Sequence, residues 1–441
     1  MSVELLQSIA TSAGRSRFLL AQIGDSRLAN GKTVSGSDLY RYMHGVGSWV
    51  GILTKGKVSA PLSYNKAVNG STLRSYVGDG GANARGLIPA DGSAGQVDDI
   101  LALSPLPSHA LILSGTNAIA NSDSLASIKA DFQAVWARLL QGGVQPVTLL
   151  DLPRGWLTSS NRATYFALVF WLLNNGPRYG SVVIDPIADL QDISSANGDP
   201  LASLFYDSPA LHPNNMGAYY PGLRVANWFN AQAASLGFHG FSQGDVYDAT
   251  YNPGGNLMPK GGVCSGSGGT KTGTNVSGTV CDGMKVELTS GSVTSCVCSV
   301  DARADGGAGN WQTLTITTPG AATLWFYPAS DITVAGGNIA VGDSLEFGFD
   351  FDATAPANVS TVSGRLLDNN GVTTLATYYP MIFDTAKGAI PTAFAGRAEM
   401  DAMTLLANTT KAVPIVSITM SGAVTGAVLK VGGLSLRKPQ S

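Results

Sequence analysis

Four short stretches of the chain hold the residue types that acyl-transfer chemistry needs: Gly24-Asp25-Ser26, Asn69-Gly70, Gly115-Thr116-Asn117 and His212-Pro213-Asn214-Asn215. A serine hydroxyl is a poor nucleophile until a base takes its proton, and a neutral imidazole suits that task near pH 7. Attack on an ester leaves an oxyanion that two or three fixed N–H donors must hold. The backbone N–H groups of Ser26 and Gly70 and the side-chain amide of Asn117 would supply them. Gly70 lets the backbone come close, and an asparagine amide brings no charge to desolvate. His212 stands just ahead of an expected helix N-terminus, whose positive end disfavours imidazolium, so a carboxylate is expected beside it.

These residues need a scaffold that brings four loops to one rim. Phe18-Leu-Leu-Ala-Gln-Ile23 reads as a short buried strand, and Gly-Asp-Ser after it sets a hydroxyl at the carboxyl edge of a sheet, where open α/β folds keep their ligands. Further strands are expected at Leu62–Val68, His109–Leu113, Pro146–Leu150 and Ser181–Ile184. Helical spacing marks Ser37–Leu53, Ser122–Leu140, Asn161–Leu173 and Asn215–Leu236, while Val77–Gly95 reads as a Gly-rich loop. Strands alternating with helices imply a parallel sheet covered on both faces, with a flavodoxin-like strand order.

Beyond Gly240 the pattern changes. Tyr251–Gly273 is dense in Gly, Ser, Asn and Pro, and from Met284 the apolar period is two, as in Thr313-Leu-Thr-Ile-Thr317 and Ser344-Leu-Glu-Phe-Gly-Phe349. Short strands punctuated by turn residues indicate a β-sandwich or jelly roll. The best helical signal there is Ala395–Leu406. The expected division is therefore an α/β domain over 1–242, a linker or loop-rich edge over 243–283, and a β-sandwich over 284–441.

Gly24-Asp25-Ser26, Gly70, Gly115-Thr116-Asn117 and His212 resemble, in order, the four blocks of the SGNH (GDSL-like) hydrolase family, over residues 17–240. The resemblance implies a three-layer α/β/α esterase or deacetylase fold, with Ser26 as nucleophile, His212 as base, and the oxyanion trio named above. One position departs from the family pattern. The acid normally stands three residues before the histidine, where this chain has Pro209; the nearest acid is Asp207, five residues before. Either the loop bulges so that Asp207 reaches the imidazole, or a backbone carbonyl holds His212 as a dyad; Asp207 is the expected third member.

Arg27, beside the nucleophile, and Trp156, after the fourth strand, are candidate substrate contacts on the rim, with a solvated Arg27 and a Trp156 packed under a loop as the equal alternatives. His44, His109 and His239 read as structural. Gly240-Phe-Ser242-Gln-Gly244 matches the lipase G-x-S-x-G pattern, but a helix precedes it where that motif needs a strand.

Charged residues are only 13% of the 441, the net charge is -3, and no basic block appears, so nucleic acid is not an expected partner. No apolar run is long enough to span a membrane, and no signal peptide is visible. A low-charge chain rich in Gly, Ser, Thr and Asn suits work outside the cytoplasm, or on a virus particle, against neutral polymers. With the appended sandwich this points to an acylated carbohydrate as substrate, by analogy of architecture. A lipid or aryl-ester hydrolase, and a glycan-binding adhesin or phage-tail component, are the alternatives. Trp311, Trp325 and Tyr327 are candidate sugar-stacking platforms, with core packing as the competing reading.

All four cysteines lie between Cys264 and Cys298. A Cys264–Cys281 disulfide or free thiols fit better than zinc, because the spacings match no usual zinc pattern. No metal or other cofactor is expected.

Overall fold

The nearly unbroken apolar run after Arg17 forms β1 (Phe18–Gly24), buried along most of its length as a central parallel strand must be. The computed structural model describes residues 18–74, 86–88, 94–155, 157–232, 244–354 and 357–439. The chain divides into two compact units, one comprising 1–31 and 44–236, the other 32–43 and 237–441.

In the first unit, β1, β4 (Val58–Ser59), β5 (His109–Leu113), β6 (Gln145–Leu149) and β7 (Val182–Ile184) make one parallel sheet in the order β4-β1-β5-β6-β7. That is the doubly wound, flavodoxin-like order. The helices described are α1 (Ser26–Ala29), α2 (Val46–Leu53), α3 (Gln96–Leu101), α4 (Thr116–Ala120), α5 (Leu125–Gln141), α6 (Ser159–Asn175), α7 (Ile187–Leu190) and α8 (Asn215–Gln232). One sheet face, through Ala110 and Ile112, packs on Ile100 of α3, Phe132, Val135 and Trp136 of α5, and Leu168 and Leu172 of α6. On the other face Phe229 of α8 meets Phe18 and His109 at ring-centroid distances of 5.6 and 5.0 Å. His109 is structural, as expected; burial holds its imidazole down to about 4.

The second unit is all β. Its strands are β2 (Lys32–Ser35), β3 (Asp38–Tyr42), β8 (Thr270–Thr272), β9 (Val276–Gly278), β10 (Met284–Gly291), β11 (Ser295–Ala302), β12 (Asn310–Thr318) and β13 (Ala322–Pro328), then β14 (Ile332–Thr333), β15 (Ser344–Thr354), β16 (Val359–Asn369), β17 (Thr374–Ile382), β18 (Ala393–Glu399), β19 (Met403–Thr404), β20 (Lys411–Met420) and β21 (Val424–Arg437). One sheet runs β2-β3-β17-β16-β20-β13-β10-β8 and the other β18-β15-β21-β12-β11-β9. They face each other: a Cβ at Gly364 on β16 would sit 2.2 Å from the Phe349 ring on β15. This is the expected sandwich.

Several local expectations give way to non-local pairing. Ser37–Leu53 is not one helix; its first part is β3, which pairs in parallel with β17, and only Val46–Leu53 is helical. Ala395–Leu406 is not helical, because its first residues pair with β15. Leu62–Val68 makes a 3-10 turn after Pro61 and a single bridge from Asn65 to Gln22, leaving the sheet edge to β4. Of the stretch 243–283, expected as a linker or loop-rich edge, the described residues 244–283 belong to the second unit and supply β8 and β9, which end the two sheets.

The proposed stacking platforms are occupied. The guanidinium of Arg303 lies 3.9 Å from the centroid of the buried Trp311, and that of Arg365 lies 4.5 Å from Trp325. Tyr327 donates its hydroxyl to Glu287.

All four thiols are buried and free; Cys264 Sγ and Cys281 Sγ lie 2.9 Å apart, and Cys296 and Cys298 share the inner face of β11. The neighbouring Cys264 thiol, and then burial, push the Cys281 thiol well above its ordinary range.

Candidate active site

Ser26 is the first residue of α1, at the carboxyl end of β1. Asp25 is the N-cap: its Oδ1 accepts the Arg27 N–H at 3.0 Å, while its own N–H donates to the Leu113 carbonyl at 3.2 Å. Gly24 makes the sharp turn possible. It has a φ of +147°, and a Cβ there would lie 2.0 Å from the Leu113 oxygen.

The Ser26 hydroxyl donates to His212 Nε2 at 2.7 Å. On the other side of the ring, His212 Nδ1 donates to Asp207 Oδ2 at 2.7 Å. The five-residue spacing closes because Asp207 Oδ1 also accepts the backbone N–H groups of Leu211 and His212, each at 2.9 Å. Burial pushes the Asp207 carboxyl up, but the backbone N–H groups of His212 and Leu211 and then the imidazole outweigh it and hold it below the ordinary carboxylate range. Asp207 therefore stays ionised beside the base. Of the two expected arrangements around His212, the structure has the one in which the loop bulges and the acid reaches the ring.

The other two stretches sit on the same rim. Val68 N–H donates to the Gly24 carbonyl at 3.1 Å, so the loop that follows runs past the end of β1. Gly70 on that loop is exposed, with a φ of +75° and open space around its Cα. Gly115, at φ +132°, caps α4, and Asn117 Nδ2 donates to the Ser71 carbonyl at 2.8 Å, tying the loop after β5 to the Gly70 loop. An amide nitrogen carries two hydrogens, so this bond leaves one to point elsewhere.

Arg27 is not a rim residue. Its side chain is fully buried beneath the nucleophile turn, where Nε and Nη2 donate to Asp25 at 2.9 and 2.6 Å and Nη1 lies 2.5 Å from Asp151 Oδ1. The short helix α1 turns its second residue inward, which a linear reading could not place. Burial works against the Arg27 charge, but Asp151 and Asp25 outweigh it and hold the guanidinium above its ordinary range. Burial likewise pushes the Asp151 carboxyl up to about 6 against the pull of Arg27. Arg154 joins the cluster and donates to the carbonyl and hydroxyl of Thr116 at 3.0 and 2.6 Å. Trp156, the other candidate substrate contact, lies outside the described residues, as do His239 and all of the Gly240–Gly244 pattern but its last residue.

Two neighbours carried no sequence signal. Tyr206 lies nearly parallel to the His212 imidazole, with centroids 5.7 Å apart and an interplanar angle of 17°, and its hydroxyl accepts from Asn30 at 3.1 Å. Gln96, fully buried at the start of α3, reaches the nucleophile turn. Among the described residues, no group of three or more His, Cys, Asp or Glu gathers in a way that could hold a metal ion.

No family model matches the chain, and no curated protein matches it. Solved structures similar to it include a protein from Desulfitobacterium hafniense DCB-2 provisionally placed in the lipolytic G-D-S-L family, at 16% identity over 48% of this chain and 99% of that one, with a TM-score of 0.34. A GDSL-like lipase from Bacteroides thetaiotaomicron VPI-5482 is 9% identical over 52% of this chain and 95% of its own, with a TM-score of 0.33. A member of the lipolytic protein G-D-S-L family from Veillonella parvula DSM 2008 is 14% identical over 49% and 98%, with a TM-score of 0.31.

Proposed function

We propose that the chain is a serine hydrolase acting on carboxylic esters, and that its substrates are small acyl groups, O-acetyl above all, carried on a carbohydrate. One observation carries the reading: a hydrogen-bonded line from the Ser26 hydroxyl through both nitrogens of His212 to Asp207, with 2.7 Å at each step. A serine, an imidazole and an ionised carboxylate in that order form a proton-transfer device with little packing value.

In the first half-reaction Ser26 Oγ attacks the ester carbonyl carbon while its proton passes to His212 Nε2. Asp207 stays ionised and stabilises the imidazolium that forms. The oxyanion is held by the N–H of Ser26, which heads a helix and has no intrahelical acceptor, by the N–H of Gly70, and by the second amide hydrogen of Asn117. Collapse breaks the bond to the sugar oxygen, which takes the proton from His212 and leaves as the sugar hydroxyl. Water then repeats the course on the acyl-serine and releases the carboxylic acid.

The carbohydrate assignment draws on the polar pair Asn30 and Tyr206, the latter stacked beside His212, and on the sandwich that follows the α/β unit in the chain. We take the work to be done outside the cytoplasm or on a virus particle, a reading supported by the low charge and the Gly-, Ser-, Thr- and Asn-rich composition of the chain.

Turnover of p-nitrophenyl acetate, butyrate and octanoate by wild type and Ser26→Ala tests the reading. Activity that is lost in Ser26→Ala and falls with chain length supports it, as does acetate release from an acetylated oligosaccharide. Equal turnover by both proteins rejects the catalytic assignment, and a preference for octanoate rejects the acyl assignment.

A further inference from the structure

Gln96 stands at the start of α3, and its amide is fully buried and fully used. Its Oε1 accepts the N–H of Gly24 at 2.8 Å, and its Nε2 donates to the carbonyl of the same residue at 3.1 Å. The side chain thus pairs with the last residue of β1 as a neighbouring strand would, two residues before Ser26. Nε2 also donates to the Ser71 hydroxyl at 2.8 Å, and the Ser71 carbonyl accepts from Asn117 Nδ2 at 2.8 Å. Ser71 directly follows Gly70. One continuous chain of hydrogen bonds, Gly24 to Gln96 to Ser71 to Asn117, therefore joins the nucleophile turn to both loops that carry the other oxyanion donors.

We infer that Gln96 is a positioning residue that sets the distance between the Ser26 nucleophile and the oxyanion donors at Gly70 and Asn117. The inference rests on the hydrolase reading above and adds to it a residue that touches no substrate. Its physical basis is that a buried amide holds its partners rigidly, since each bond lost in that setting leaves an unsatisfied polar group. Oxyanion stabilisation depends steeply on placement, and a displacement of about 1 Å can cost roughly a hundredfold in rate. Backbone bonds also tie the nucleophile turn to its neighbours, Val68 N–H to the Gly24 carbonyl at 3.1 Å and Asp25 N–H to the Leu113 carbonyl at 3.2 Å. Each reaches one loop only and stops short of Gly70 and Asn117. Gln96 instead joins Gly24 to Ser71, the residue after Gly70 and the partner of Asn117.

The test uses Gln96→Met, which keeps length and apolar volume, and Ser71→Ala, which cuts the middle link and leaves Gln96 its bonds to Gly24. Active sites are counted with a fluorophosphonate. Then kcat and KM for p-nitrophenyl acetate per labelled site, the inhibition constant of phenylboronic acid as a tetrahedral-anion mimic, and Tm are measured. Gln96→Met is expected to lose roughly 10- to 100-fold in kcat per labelled site with KM within about threefold, and to bind the boronate more weakly in proportion. Ser71→Ala is expected to lose a smaller factor, about three- to tenfold, in the same two quantities. A kcat per labelled site within twofold of wild type in the folded variants overturns the inference, whatever happens to Tm, because a merely structural glutamine lowers Tm and the labelled fraction alone. If Gln96→Met does not fold, Ser71→Ala decides by the same criterion. A wild type that neither labels nor turns over ester overturns the hydrolase reading itself, which distinguishes the two failures.

Discussion

Asp207 holds His212 twice, through Oδ2 to the ring Nδ1 at 2.7 Å and through Oδ1 to the backbone N–H of the same residue at 2.9 Å. One carboxylate thus fixes both the orientation of the imidazole and the turn that presents it. Standing five residues before the histidine, the carboxylate still reaches the ring, because it also caps the loop between them.

The two roles of Asp207 separate by substitution. Asp207→Asn offers the ring an amide that need not accept from Nδ1–H, and kcat should fall by roughly 10³- to 10⁴-fold, approaching the loss in His212→Ala. Steady-state kinetics on a short-chain p-nitrophenyl ester measures this. A loss under tenfold would mean that His212 works without an acid.

Asn117→Ala removes the one side-chain donor assigned to the oxyanion. The expected loss is roughly 10²- to 10³-fold in kcat with little change in KM. A change confined to KM would move Asn117 from the transition state to ground-state binding.

Arg27→Met should act on stability rather than on substrate affinity. It leaves two buried carboxylates facing each other, and breaking such a pair costs about 3–5 kcal/mol. Urea unfolding reads the cost; KM of the folded fraction should stay near the wild-type value, as a buried guanidinium cannot touch substrate.

Asp151 gives a pH signature. Burial pushes its carboxyl up to about 6 from an ordinary 3.8, so its contribution to stability is fully present below the lower value and is lost as pH rises through the higher one. In Asp151→Asn that dependence disappears. The Tm of wild type relative to the variant should therefore rise as the buffer is taken from pH 7 to 4.5, and a difference that is flat, or of opposite slope, over that window would refute the assignment.

The four cysteines are all buried. Ellman's reagent should find almost no reactive thiol in the native protein and four after denaturation without reductant. Fast native reaction of any of them would contradict their placement.

Ser26, His212 and Asp207 were legible in the sequence because their types and order are constrained by chemistry, and the strand before Ser26 by its apolar run. What decided the third member was loop geometry: a gap of five residues fits a bulged turn or a dyad equally well on paper. Arg27 misled because the direction of a side chain one residue past the nucleophile depends on how a four-residue helix is seated. Gln96 and Tyr206 belong to no local pattern; only the fold brings them to Gly24 and His212. The segment at Ser37 looked helical because Leu39, Tyr40, Tyr42 and Met43 fit both periods, and the strand that settles the matter lies far along the chain.

That last separation bears on how the polypeptide is made. Asp38 accepts the N–H of Thr377 across 339 residues at 2.6 Å, and β3 lies beside β17. The early hairpin leaves the ribosome long before its neighbour exists, so the outer end of that sheet can close only late in synthesis. Scission near residue 237 would not yield two whole modules: the upstream fragment would carry an orphaned hairpin, and the downstream one would bare the flank of β17 to other chains.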